Sequence, residues 1–171
     1  MTKHLILFRH GKSDWDADFA NDHERPVATR GVKAAQTMGK LLAIAHQVPE
    51  AVISSSALRA KTTAELAIAA GSWDCDLHIT DDLYETSLER TLKLVYQQPD
   101  ALQSLMLVGH QPTWSELTQA LIGGGTVEMP TAAMACISFE AANWRSVCFG
   151  SGQLKWLLQP KFFTKGDFDT G

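Results

Sequence analysis

The sequence predicts a three-layer α/β/α sandwich built on a mostly parallel central sheet. Short, continuously apolar runs recur at residues 3–9 (KHLILFR), 51–54 (AVIS) and 105–109 (LMLVG), the pattern of strands buried on both faces. Segments with apolar residues at helical spacing alternate with them, and a βαβα order of this kind specifies helices on both faces of a sheet. The chain has 171 residues, 45% hydrophobic and 20% charged, enough for one domain with a sizeable core. A single domain over residues 1–171 is expected, without repeats or a low-complexity linker.

The elements follow in order. After the first strand, residues 29–46 place Val32, Ala35, Met38 and Leu42 on one helical face, with Thr29 as the expected cap. The second strand leads through Ser54-Ser55-Ser56 into an Ala-rich helix over 57–71, with Ser56 as its cap and Gly71 as its end. Leu77–Ile79 is a weaker strand, and 88–97 is helical up to Pro99. The strand 105–109 is followed by a helix over 114–122, closed by Gly123–Gly125. Ala133–Phe139 and Gln153–Leu158 read as a closing pair of strands, and residues 162–171 as an extended tail.

Composition narrows the function. No apolar run approaches the about 20 residues of a membrane helix, and Leu5–Phe8 is too short for a signal peptide, so a cytoplasmic protein without a membrane partner is expected. Cys75, Cys136 and Cys148 are odd in number and share no CxxC spacing, which reads as small buried apolar residues rather than a disulfide framework. The formal net charge is −4 with no basic cluster, which argues against nucleic acid as a partner. An anion would have to be handled in a local site.

In a doubly wound fold, ligands bind beyond the carboxyl ends of the parallel strands. Arg9-His10-Gly11 ends the first strand, Arg59 follows the second, and Gly109-His110 ends the third. A single His after a strand is more often structural than catalytic. Here it lies between a permanent cation and a glycine that lets backbone approach a ligand, and a neutral imidazole is a competent nucleophile near pH 7. Arg59 falls in the first turn of a helix, where the dipole disfavours a cation unless an anion binds there. His110 can donate to an oxyanion or be a satisfied core residue. Glu85, in Leu83-Tyr84-Glu85, is the carboxylate best placed for a general acid, a role that requires partial burial or a neighbouring phosphate; its alternative is a helix-start residue, and Asp82 and Glu89 compete with it.

Together, RHG at the end of the first strand, SSALRAKTTA (Ser55–Ala64) and VGHQP (Val108–Pro112) resemble the histidine phosphatase superfamily, with its phosphoglycerate mutase-like fold. RHGKSDW (Arg9–Trp15), RPVATRG (Arg25–Gly31), LYETS (Leu83–Ser87), MPTAAM (Met129–Met134) and GQLKWLLQPK (Gly152–Lys161) are similar to its short branch, which contains bacterial phosphohistidine phosphatases. The resemblance spans residue 3 to about 160. It implies a metal-independent hydrolase without cofactor, in which His10 is the nucleophile and Arg9, Arg59 and His110 hold phosphate. Glu85 falls where larger members keep their acid. The implied substrate is a phosphorylated protein, such as a histidine phosphotransfer domain, on an open pocket without a cap domain. A small phosphoester, or a catalytically idle phospho-binding module, are the alternatives.

Two decoys fail. Gly11-Lys12-Ser13 imitates the end of a P-loop, but Ile6 stands where that pattern requires glycine. Gly123–Gly125 follows a helix rather than a strand, unlike a dinucleotide fingerprint. His4, His23, His46 and His78 show no paired ligand spacing, so no metal site is expected.

Overall fold

Six strands form one sheet in a computed structural model that describes residues 1–164: β1 (Thr2–Arg9), β2 (Ala51–Ser55), β3 (Asp76–Thr80), β4 (Ser104–Gly109), β5 (Met134–Glu140) and β6 (Gln153–Leu158), in the order β3-β2-β4-β1-β5-β6. β1 and β4, β4 and β2, and β2 and β3 pair in parallel, whereas β5 is antiparallel to both β1 and β6. The expected mostly parallel sheet is therefore present, with its reversed strand at the terminal hairpin.

The continuous apolar runs reflect two cores. On β1, Leu5 and Leu7 face a cluster with Trp114, Leu117 and Leu121, while Ile6 and Phe8 face Met38, Leu42 and Ala64. The first face is covered by α3 (Leu88–Tyr96) and α4 (Thr113–Ile122), the second by α1 (Thr29–Ile44) and α2 (Leu58–Gly71). All four β1 side chains are at most 2% exposed. Each fully buried residue of this size stabilises the fold by about 1.5–3 kcal/mol, so the central strand must be apolar on both sides. Lys3 is buried too; its ammonium donates to the backbone carbonyls of Asp100 and Leu102.

The helix ends differ from expectation. The cap of α1 is Ala28 rather than Thr29, which is the first helical residue; Ala28 makes no side-chain capping bond, and its N–H donates to Lys12 O (2.7 Å). The cap of α2 is Ala57 rather than Ser56, whose hydroxyl is engaged with Asp81 and His23. At the far end of α2, Ser72 takes the left-handed conformation and Gly71 is the last helical residue. Of the cysteines, Cys136 is buried, Cys75 half-buried and Cys148 exposed, so burial explains only the first. Lys161–Thr164 forms a helical turn, α5, where an extended tail was expected; residues 165–171 lie outside the described residues. Among the described residues, no helix is long and apolar enough to cross a membrane.

Close approach of α1 to α2 requires glycine. A Cβ on Gly39 would stand 2.2 Å from Ala67 O, and Gly39 O accepts the Trp73 indole N–H at 3.0 Å. Gly39→Ala is expected to lower stability by about 1–3 kcal/mol through overpacking, read as a lower midpoint in urea denaturation; an unchanged midpoint would show that the helices can separate without loss.

Candidate active site

The register of the sheet brings the candidate residues together. Arg9 on β1 is paired with Gly109 on β4, and Ser54 on β2 with Val108, so three strand ends open at one edge. The His10 N–H donates to Gly109 O (3.0 Å), and the His10 and His110 rings lie 5.2 Å apart, centroid to centroid. Gly11 is held close beneath them: its N–H donates to Thr63 Oγ1 at 2.9 Å, and a Cβ there would stand 2.8 Å from Gly31 O. Only glycine fits.

His10 is 7% exposed, and its Nδ1 lies 2.7 Å from Gly11 O. A carbonyl can only accept, so Nδ1 carries the proton and Nε2 keeps its lone pair. Burial, reinforced by Arg59, Arg9 and Arg25, lowers the His10 pKa to about 4, against the opposing pull of the Gly11 carbonyl. His10 is therefore a neutral imidazole near pH 7.

Arginines surround it. A cavity of about 220 Å³ is lined by Arg9, His10, Arg25, Arg59 and His110, among others. Arg9 donates to Met129 O (2.8 Å), Arg25 to Asp22 Oδ1 (2.6 Å), and Arg59 to Asp22 O (2.7 Å) and Oδ2 (3.0 Å). Each of the three still has a buried Nε without a partner. Asp22 also accepts from the Tyr84 hydroxyl (2.7 Å); these bonds and the two arginines hold its pKa down at about 2, against desolvation.

His110 is less constrained. Its Nε2 lies 2.8 Å from Ser55 Oγ, which also accepts the Ala57 N–H, and its buried Nδ1 has no partner. Burial lowers its pKa to about 3, with His10 and Arg59 adding to the effect. It faces the Tyr84 ring at 5.8 Å.

Four of the five expected residues thus share one pocket. The fifth, Glu85, lines an adjoining groove of about 610 Å³ together with Asp22, Arg59, Tyr84 and His110. It is exposed and takes a left-handed backbone, φ 50°; the partial burial that would suit a general acid is absent. Arg25 and Asp22 were not anticipated. Both come from the loop after β1, which the Ser13–Val27 bridge and the Asp14 N–H to Pro26 O bond (2.8 Å) fold back onto the strand ends. The RPVATRG segment (Arg25–Gly31), which is similar to the short branch, was the available signal for Arg25. Among the described residues, no group of three or more His, Cys, Asp or Glu is arranged to hold a metal ion.

The profile of the Histidine phosphatase superfamily (branch 1) matches residues 5–104. An uncharacterized protein of Mycobacterium tuberculosis is 30% identical over 163 residues, covering 90% of this chain and 99% of its own. The structure of SixA from Agrobacterium tumefaciens is 27% identical, with a TM-score of 0.77 and coverage of 92% of this chain and 98% of that one. The protein histidine phosphatase SixA complexed with tungstate shares the fold at a TM-score of 0.80, with 24% identity and coverage of 94% and 99%.

The neutral histidines make stability depend on pH. Unfolded, each would titrate near its ordinary value of 6.5; folded, they titrate at about 4 and about 3. Below pH 6.5 the unfolded chain binds more protons, so stability falls with falling pH until the folded values are reached. The melting temperature in MES and acetate buffers should drop from pH 7 to pH 4.5, and His10→Gln/His110→Gln should flatten that slope. An equal slope in both proteins would show that the two imidazoles are not desolvated.

Proposed function

The chain belongs to the histidine phosphatase superfamily, and from that premise we propose that it is a phosphatase acting through a phosphohistidine on His10, with phosphohistidine on a protein as its substrate. The observation that carries this reading is the free Nε2 of His10, fixed by the Gly11 carbonyl inside a cavity of three arginines with unpartnered Nε groups.

In the first step Nε2 attacks phosphorus; the new P–N bond forms as the bond to the leaving group breaks, and the leaving group takes a proton from water in the open pocket. In the second step water attacks the phosphohistidine, the P–N bond breaks as the new O–P bond forms, and the water's proton passes to solvent as inorganic phosphate leaves and the imidazole is restored. Arg9, Arg25 and Arg59 bind the phosphoryl oxygens and neutralise charge in the transition state, so the chemistry needs no metal. His110, whose Nε2 is paired with the Ser55 hydroxyl, lines the same cavity and adds a polar group beside the phosphoryl site.

Two features favour a protein substrate. Residues 56–84 are occupied by α2, β3 and a 3-10 turn at Asp81–Leu83, so this segment supplies no cap and the pocket stays open to a large partner. Glu85 is exposed, which suits a labile P–N bond, whose departing imidazole needs less acid assistance than an alkoxide. The likeness to SixA, a protein histidine phosphatase that takes up tungstate, agrees with both.

The test is turnover of a phosphohistidine-bearing phosphotransfer domain and of an aryl phosphate. Wild type should dephosphorylate the domain, and His10→Ala should be slower by roughly 10³-fold or more. Equal rates would remove His10 as nucleophile, and wild-type activity confined to the aryl phosphate would overturn the protein-substrate reading.

Two further outcomes are expected. Arg25→Ala removes a charged donor worth about 1.5–3 kcal/mol and should raise the inhibition constant of tungstate roughly tenfold or more; an unchanged constant would place Arg25 outside the oxyanion contacts. Because the neutral form of His10 is the nucleophile, kcat/KM should lose no rate to His10 protonation until the pH falls toward about 4. A limb near 6.5 would mean that the imidazole is solvated.

A further inference from the structure

Beside the His10 cavity lies a second one of about 460 Å³, and Lys12 and Thr131 line both. Its charged lining is entirely cationic: Lys12 from the loop after β1, Arg30 and Lys33 from the start of α1, and Lys161 from α5. All four side chains are exposed, and none forms an ion pair among the described residues. Arg30 and Lys33 also stand at the end of α1 where the helix dipole disfavours cations, and its first turn contains no acidic residue to offset them. In a chain of formal net charge −4, this concentration of uncompensated positive charge is a local exception.

The groove that shares Arg59 and His110 with the His10 cavity carries acidic residues instead, Asp22, Glu85, Glu89 and Glu116. Neighbouring surfaces of unlike charge orient a charged partner.

We propose that the cavity of Lys12, Arg30, Lys33 and Lys161 docks an acidic segment of the phosphorylated protein, holding its carboxylates beside the phosphoryl group as that group reaches His10. This rests on the protein-substrate reading above. The character of the cavity selects a polypeptide over a compact anion. Its cations are long, exposed side chains from three separate chain segments, and each exposed pair is worth about 0.2–1 kcal/mol. Useful affinity therefore needs several carboxylates bound together.

A Glu-rich peptide without phosphate, titrated into the full-length chain at low salt, tests the docking directly. The amide signals of Lys12, Arg30, Lys33 and Lys161 should shift. Charge reversal in Arg30→Glu/Lys33→Glu should weaken the peptide roughly tenfold or more, and a Lys-rich peptide should leave these signals in place. The same variant should raise KM for a phosphohistidine domain with an acidic flank, while hydrolysis of aryl phosphate stays within about twofold of wild type. The proposal is overturned if the Glu-rich peptide does not bind, binds the variant equally well, or shifts other residues. It is also overturned if the variant slows both substrates by the same factor. Should wild type hydrolyse aryl phosphate and leave the phosphohistidine domain untouched, the functional reading falls, and the peptide titration still decides the docking.

Discussion

Three guanidinium groups gathered around one unprotonated imidazole are the constraint that the rest of this site answers to. Like charges at such range repel, and each arginine keeps a buried Nε without a partner. Leaving a buried donor unsatisfied costs about 1–3 kcal/mol, and gathering like charges adds to that cost. The surrounding structure offsets part of it. Asp22 takes bonds from Arg25 and Arg59, and the Met129 carbonyl takes one from Arg9. An anion with several oxygens in the cavity could accept from all three guanidinium groups at once.

Holding that arrangement requires a backbone with little freedom. Gly11 packs against Gly31, the His10 carbonyl accepts the Ala132 N–H at 3.0 Å, and the Gly11 N–H is tied through Thr63 to Arg59 O. Nucleophile and cation are thereby linked through a single hydroxyl, Thr63, which is fully buried. In the larger groove beside the pocket, Glu85, Glu89 and Glu116 are exposed, whereas Asp22 and Tyr84 are tied to each other.

Much of this was legible in the sequence, for identifiable reasons. β1 and β4 are buried on both faces, which leaves an unbroken apolar run, and each is followed at once by a histidine at the sheet edge where ligands bind in such folds. Arg59 announced itself by standing against a helix dipole. Arg25 and Asp22 gave no such signal: they lie in a loop that owes its shape to a few bonds with the backbone of residues 12–14, and no periodicity records those contacts. Ser56 misled for a related reason. Its position suits a cap, yet the nearby Asp81 and His23 compete for the hydroxyl. Side-chain competition of this kind is a tertiary event, and local propensity does not contain it.

The charge balance of the site explains why so many cations are present. A neutral nucleophile requires burial, and burial keeps the His10 pKa at about 4. An incoming phosphoryl dianion would act in the opposite sense, favouring the protonated, unreactive imidazolium. One arginine could not cancel two negative charges. With Asp22 ionised because its pKa is held at about 2, Arg9, Arg25 and Arg59, together with Lys12 on the same cavity, still leave a surplus of positive charge to set against the dianion. In the proposed mechanism, the same cations that would bind the substrate would also oppose protonation of His10 while it is bound.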